Sequence, residues 1–491
     1  MKKLIIPITA FLLMISCNID ANNDNKEETI TKTLTNTRNK TLYLVKMNPT
    51  SKFVSANNSG YVNLGTNYSI DNENYMPRND ADFTDTHFAL TLYPKQISSV
   101  FKKTRSPDYM QYDIGDIKKF WIMKNEPLTI QNIEWEEISA ILRTKSKFCN
   151  IWVPNEYWSN STRPTSNSVS ASIVAELAEK FDSIYPRVTN IFGYANDEGS
   201  PINILIFDIY SDYMQGTTFG YFTPKDYGEY DEIYHSNECC MFYLDAFLTR
   251  RYTPMSYSTL AHEFQHMINY YNKTILNNKI SETWFTEMLS MLCEDMLQTF
   301  LGINDEDSPI GRLPYFNYGY YRNGVTEWQS SQYSYACTYA FGAYLVRNFG
   351  GIKLLNEIGK NKETNKESIT LALKALKYNE TFDSVFLKFA EALIYEDSNM
   401  LTFNKNSTEK LNGYEYTFKA FNIWEIENGS IGFYMGIKGP YCFLTNQSYP
   451  IRPYCFTIHT QESWQNIETN TLTVSITKPK NCDIKYQLLL K

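Results

Sequence analysis

The stretch Ala261-His262-Glu263-Phe264-Gln265-His266-Met267-Ile268-Asn269 decides how the rest of the chain is read. The chain has 5 His in 491 residues, and two of them stand four apart here with Glu immediately after the first. At 3.6 residues per turn, positions 262 and 266 fall nearly above one another on a helix, so both imidazoles reach one tetrahedral metal ion. Glu263 lies about a quarter turn away, beside such an ion, where a general base toward a metal-activated water belongs. Leu260, Phe264, Met267, Ile268 and Tyr271 form an apolar stripe at helical spacing, with the two His off it. Pro254 and Ser256 mark the start of this helix.

This His-Glu-x-x-His arrangement is the zinc-peptidase motif, and a catalytic zinc needs a third protein ligand. A third His after a Gly, as in metzincins, is excluded because Asn269 and Asn272 occupy those places. A carboxylate on a following helix is the alternative. Trp284 to Phe300 reads as such a helix, apolar almost all round and interrupted by Glu287 and Glu294. Seven apart, these share one face, and buried carboxylates call for a metal or a metal-bound imidazole as partner. Glu282, just ahead of the helix, is a weaker ligand candidate.

Trp284-Phe285-Thr286-Glu287-Met288-Leu289-Ser290 resembles the Trp-Leu-Asn-Glu-Gly segment of gluzincin metallopeptidases, departing at Thr286 and Met288. The resemblance implies Glu287 as the third zinc ligand and Glu294 as support for a ligating His from behind. The hyicolysin family of bacterial metallopeptidases is more similar still over about residues 139–400. That likeness rests on Ala261 to Asn269, on Gly220-Tyr221-Phe222 with Asp226, and on Phe242-Tyr243-Leu244-Asp245. It implies a thermolysin-like zincin catalytic domain, Zn2+ as cofactor, and protein or peptide substrates. In many gluzincins a Tyr at the start of a later helix holds the oxyanion. Tyr335 is the matching candidate, with Tyr333 and Tyr339 as rivals. The strand Met241 to Leu244 is expected as a sheet edge able to pair with an extended substrate.

Outward from the site, the expected class is α+β, with the catalytic domain at 139–404 between β-rich regions at 41–138 and 405–491. In the first region, Thr41 to Val45, Phe88 to Tyr93 and Lys119 to Met123 read as strands. Ser168 to Tyr185 reads as an amphipathic helix stopped by Pro186. Residues 1–16 read as a lipoprotein signal peptide: Lys2 and Lys3, a short apolar run, then Met14-Ile15-Ser16-Cys17, which resembles a lipobox and implies a lipid on Cys17. Residues 17–40 read as a flexible tether, since they are polar and poor in apolar groups. The chain is thus expected to be exported and held at a bacterial membrane, on the outer membrane or cell surface. A net charge of −8 without a Lys/Arg-rich run argues against nucleic acid as partner. The cysteines lack disulfide-framework or CxxC spacing, and one bridge among Cys442, Cys455 and Cys482 is expected. Cys239-Cys240 reads as two strand residues, and His87, His235 and His459 as ordinary surface or satisfied core His. Two other readings compete: a surface-anchored binding protein with an inactive peptidase fold, and an envelope protein with a closed four-ligand zinc site.

Overall fold

A computed structural model describes residues 27–63, 112–124, 133–159, 167–196, 201–209, 218–229, 231, 233–397, 399–427, 437–445 and 447–491. Cys17, His87 and Phe88 to Tyr93 lie outside them. The described residues form a mixed α/β structure in which one sheet and a set of helices carry the His262–His266 region, and further sheets join the two ends of the chain.

Nine residues expected in the tether form a strand, β1 (Glu27–Thr35). Its average composition is polar, but its period is two. Thr29, Thr31 and Thr33 meet Thr477, Ser475 and Thr473 as hydroxyl pairs at 3.0, 3.0 and 3.1 Å, a pairing that stabilises neighbouring strands. Strand β2 (Leu42–Asn48) is buried at every position, so it needs a neighbour on each side. β3 (Tyr61–Asn63) follows.

The region expected as a separate N-terminal β domain is therefore divided. Its first strands join the C-terminal ones, whereas β4 (Ile117–Met123) pairs with β5 (Trp135–Lys145). After β5 come β6 (Cys149–Val153), β7 (Ile202–Phe207), β8 (Gly220–Tyr221) and β9 (Met241–Asp245). These make a six-stranded sheet in the order β8-β9-β7-β6-β5-β4. β6, β7 and β9 are parallel and the remaining pairs antiparallel. The edge beside β9 is thus taken by β8, and the strand expected there is internal. Cys239 and Cys240 precede β9 as buried bends.

Helix α1 (Ala171–Phe192) starts at Ser170, whose hydroxyl accepts Ile173 N–H at 3.4 Å, and runs through Pro186. An interior Pro costs about 3 kcal/mol. Val188, Ile191 and Phe192, all buried on the continuing face, return roughly 1.5–3 kcal/mol each, so the helix continues. Asp245 closes β9 and caps α2 (Ala246–Arg251), accepting Leu248 N–H at 2.7 Å and Ile209 N–H at 2.9 Å. Then come α3 (Thr253–Asn269), α4 (Thr283–Leu301), α5 (Leu313–Gly319), α6 (Gln332–Asn348), α7 (Gly351–Lys360), α8 (Asn365–Ala375) and α9 (Phe382–Ile394). The apolar stripe of α3 turns toward α1: Phe264 lies 5.1 Å from Phe181 and 5.0 Å from Tyr185, ring centre to ring centre. No described helix is long and apolar enough to cross a membrane.

The remaining strands are a hairpin, β10 (Ser407–Leu411) with β11 (Tyr414–Phe418), and then β12 (Phe443–Leu444), β13 (Cys455–Thr460), β14 (Thr471–Pro479) and β15 (Lys485–Leu490). The hairpin is a sheet of its own, and β12 to β15 share sheets β1-β14-β3 and β12-β13-β2-β15 with the N-terminal strands. The bridge expected among Cys442, Cys455 and Cys482 is absent, and none of the eight described cysteines is in a disulfide. Cys455 and Cys482 instead donate to the carbonyls of Tyr320 (3.5 Å) and Asn58 (2.9 Å).

His459 on β13 is a satisfied core imidazole, fully buried between Leu444 O (3.1 Å) and Thr457 Oγ1 (2.9 Å). Burial, helped by the nearby Lys46 charge, lowers its pKa to about 3. Below pH ~6.5 the unfolded chain binds this proton and the folded chain does not, so stability falls as pH drops from about 6.5 toward 3. Unfolding free energies from urea titrations across that window should decline by up to ~1.4 kcal/mol per pH unit from this residue, and His459→Gln should flatten the decline.

Candidate metal centre and its cavity

The site is assembled by two helices. On α3, every residue from Ser256 to Gln265 is buried, so its polar face is turned into protein rather than water. On α4, Glu287 is fully buried and Glu294 is largely so. Ser290, between them in sequence, fastens the helices together: its Oγ lies 2.8 Å from Gln265 Oε1 and 3.1 Å from the carbonyl of His262. A serine three residues after Glu287 was a visible signal for this contact, because 287, 290 and 294 fall on one face.

His262, His266 and Glu287 come together as a group with one donor atom each. The His262 and His266 Nε2 atoms are 3.1 Å apart, and the Glu287 oxygens lie 3.2 Å from the first and 3.5 Å from the second. Three ligands at tetrahedral zinc bond lengths would stand about 3.3 Å from one another. Glu294 Oε1 is 2.7 Å from His262 Nδ1. That contact favours a proton on Nδ1 and so leaves Nε2 as the nitrogen available to a metal ion. The two Glu287 oxygens make no well-formed hydrogen bond, an expensive condition for a buried carboxylate unless a cation is its partner. The donor set therefore fits a small, borderline-soft divalent ion.

The electrostatics agree. Burial would by itself raise the Glu287 carboxyl, but His266 and His262 outweigh it and hold the group well below the usual carboxylate range. Burial would lower His262, but the Glu287 and Glu294 carboxylates beside it outweigh that and raise it to about 10. Without a metal, this pocket draws a proton; the negative field of Glu263, Glu287 and Glu294 calls for one positive charge near the imidazoles. Glu263 is 1% exposed. Burial lifts its carboxyl to about 7, against the opposing pull of the two His.

A cavity of about 220 Å³ opens beside His262 and Glu294. Thr259 and Met255 form its wall on α3, Phe219 closes the β8 side, and Arg312, Tyr315 and Gln332 close the other. Gly220 lets the edge strand approach this closely, since a Cβ there would sit 2.6 Å from Tyr243 O and 2.8 Å from Thr259 Cγ2. Tyr335 is placed one layer back. It is fully buried, with the Arg312 guanidinium 4.6 Å above its ring and Trp328 edge-on at 4.7 Å. Tyr339 OH donates to Asp295 instead, at 3.0 Å. Glu282 is turned away, accepting from Trp284 Nε1 (2.7 Å) and Asn365 Nδ2 (3.0 Å). Asp226 lies in a separate buried cluster with Lys225, Asn237 and Tyr243. The sequence reading did not anticipate Arg312, whose position depends on a loop between helices.

Comparison with known proteins supports the same region. A family profile described as Peptidase M30 matches residues 136–410, more than half of the chain. The chain is also 26% identical over 324 residues to the neutral metalloprotease ShpI of Staphylococcus hyicus, a match spanning 61% of this chain and 67% of that protein.

Removing the carboxylate behind His262 should weaken metal binding without emptying the site. Glu294→Ala is expected to lower metal affinity ~10–100-fold, measured by competition of a divalent ion with a chromophoric chelator, whereas Glu287→Ala should abolish tight binding.

Proposed function

The chain belongs to the peptidase M30 family and is a metallopeptidase, and on that premise we propose that it is a zinc-dependent endopeptidase with a thermolysin-like zincin catalytic domain. Its substrates would be proteins or peptides outside the cytoplasm. The observation that carries this reading is the convergence of His262 Nε2, His266 Nε2 and Glu287 within one buried pocket, beside a buried Glu263 and an open cavity.

His262, His266 and Glu287 would hold the zinc. When bound, it supplies a Lewis acid that polarises the scissile carbonyl and acidifies the attacking water. Glu263 takes the proton from that water and then returns one to the leaving amine nitrogen. Glu294 keeps the His262 ring in its orientation and tautomer. An extended substrate can pair with the short edge strand β8, which brings a neighbouring side chain to the cavity. Charge developing on the carbonyl oxygen would be met from the wall containing Arg312 and Tyr315, with Tyr335 bracing Arg312 from behind.

The membrane assignment is part of the same proposal. A lipid on Cys17 would tether the enzyme. Labelled palmitate should enter the wild-type chain in a bacterial host and be absent from Cys17→Ala; equal labelling of both would remove the anchor from the proposal.

Casein cleavage by the chain from about residue 20 onward tests the activity. It should be lost on zinc chelation and restored by added zinc. Glu263→Gln should retain the metal and lose at least ~10²-fold in rate. Cleavage that persists in both cases would refute the mechanism.

A further inference from the structure

One buried polar cluster near the site has no part in the chemistry above. Asp295 and Arg347 are both wholly inaccessible. They meet as a two-pronged pair, Nη1 to Oδ2 at 2.8 Å and Nη2 to Oδ1 at 3.1 Å. Tyr339 OH adds a third hydrogen bond to Asp295, at 3.0 Å. Arg347 Nε and Nη2 also donate to the carbonyl of Lys419, at 3.0 and 2.8 Å, just beyond β11, and the Phe421 ring lies 4.9 Å from the guanidinium. A buried ion pair is often no more stabilising than apolar residues of the same volume. What it supplies is direction, because the guanidinium fork fixes both distance and angle.

That direction bears on the metal group. Asp295 follows Glu294 on α4, so the two side chains diverge by about 100°: Glu294 points to His262 Nδ1 and Asp295 to α6. α4 and α6 also meet through close apolar contacts, as where a Cβ on Gly342 would reach within 2.8 Å of Met288 Cγ and 3.0 Å of Leu292 Cδ1. Such contacts resist separation more than rotation. Rotating α4 by ~20° would carry a carboxylate about 6 Å from the axis through about 2 Å, against a tolerance of roughly 0.2 Å for a metal ligand.

We propose that Asp295 and Arg347 are positioning residues: their paired contact, anchored on the Lys419 carbonyl, sets the rotation of α4 and so holds Glu287 and Glu294 against the two imidazoles. The proposal rests on the reading of His262, His266 and Glu287 as a zinc site.

Two variants of the full chain separate positioning from simple stability. Asp295→Leu combined with Arg347→Met replaces the pair by apolar bulk, and Arg347→Lys keeps the charge but loses the fork. Each is assayed for thermal melting, for zinc affinity by chelator competition, and for casein cleavage. The double variant, which takes their partners from Tyr339 OH and the Lys419 carbonyl, should melt below the wild type and, assayed well below its melting temperature, bind zinc at least ~10-fold more weakly, with Arg347→Lys between the two. Wild-type zinc affinity in either folded variant would overturn the proposal. If the double variant fails to fold, Arg347→Lys decides by the same measure. If neither folds, the pair is a requirement of the fold and the positioning role is overturned. A wild-type chain that binds no zinc or leaves casein intact would instead refute the peptidase reading beneath it.

Discussion

Burying like charges is costly, and this protein buries three carboxylates, Glu263, Glu287 and Glu294, around two imidazoles. The arrangement persists only if positive charge enters it, as a proton on His262 or as a metal ion. Everything near the site answers to that constraint. Helix α3 must turn its polar face inward, so its other face packs on Phe181 and Tyr185 of α1. Helix α4 must present two carboxylates on one side, so Ser290 fastens it to α3 while Asp295, about 100° round the helix from Glu294, reaches Arg347.

The six-stranded sheet gives this helix pair a floor. Its parallel centre ends in Asp245, which caps α2 and accepts from Ile209 N–H; this leads directly into α3. The short antiparallel β8 then brings Gly220 and Phe219 alongside α3. The cavity is thus bounded by the strand that a peptide would meet and by the helix that carries His262. The β10–β11 hairpin stands outside this arrangement but not apart from it, since the Lys419 carbonyl just beyond it fixes Arg347.

Much of the site was legible because its parts repeat at short, regular intervals. His262 and His266, one helical turn apart, are a local pattern. Glu287 and Glu294 are another, visible because they interrupt an otherwise apolar helix. Family resemblance then linked the two patterns, which composition could not do. The fold was less legible where the signal was an average. The tether assigned to residues 17–40 concealed the alternating threonines of β1, and Pro186 was given more weight than the apolar face that continues beyond it.

The sequence by itself determined which residues could share a turn or a face: the two imidazoles, the adjacent Glu263, and the pair of carboxylates seven apart on α4. Each relation is fixed by helical periodicity within one element. Tertiary structure alone decided how elements meet. It joined β1 to β14 across more than four hundred residues, put Arg312 in front of Tyr335 at the cavity wall, and paired Asp295 with Arg347. The physical reason is that such contacts depend on packing between surfaces distant in the chain, and no local period records them.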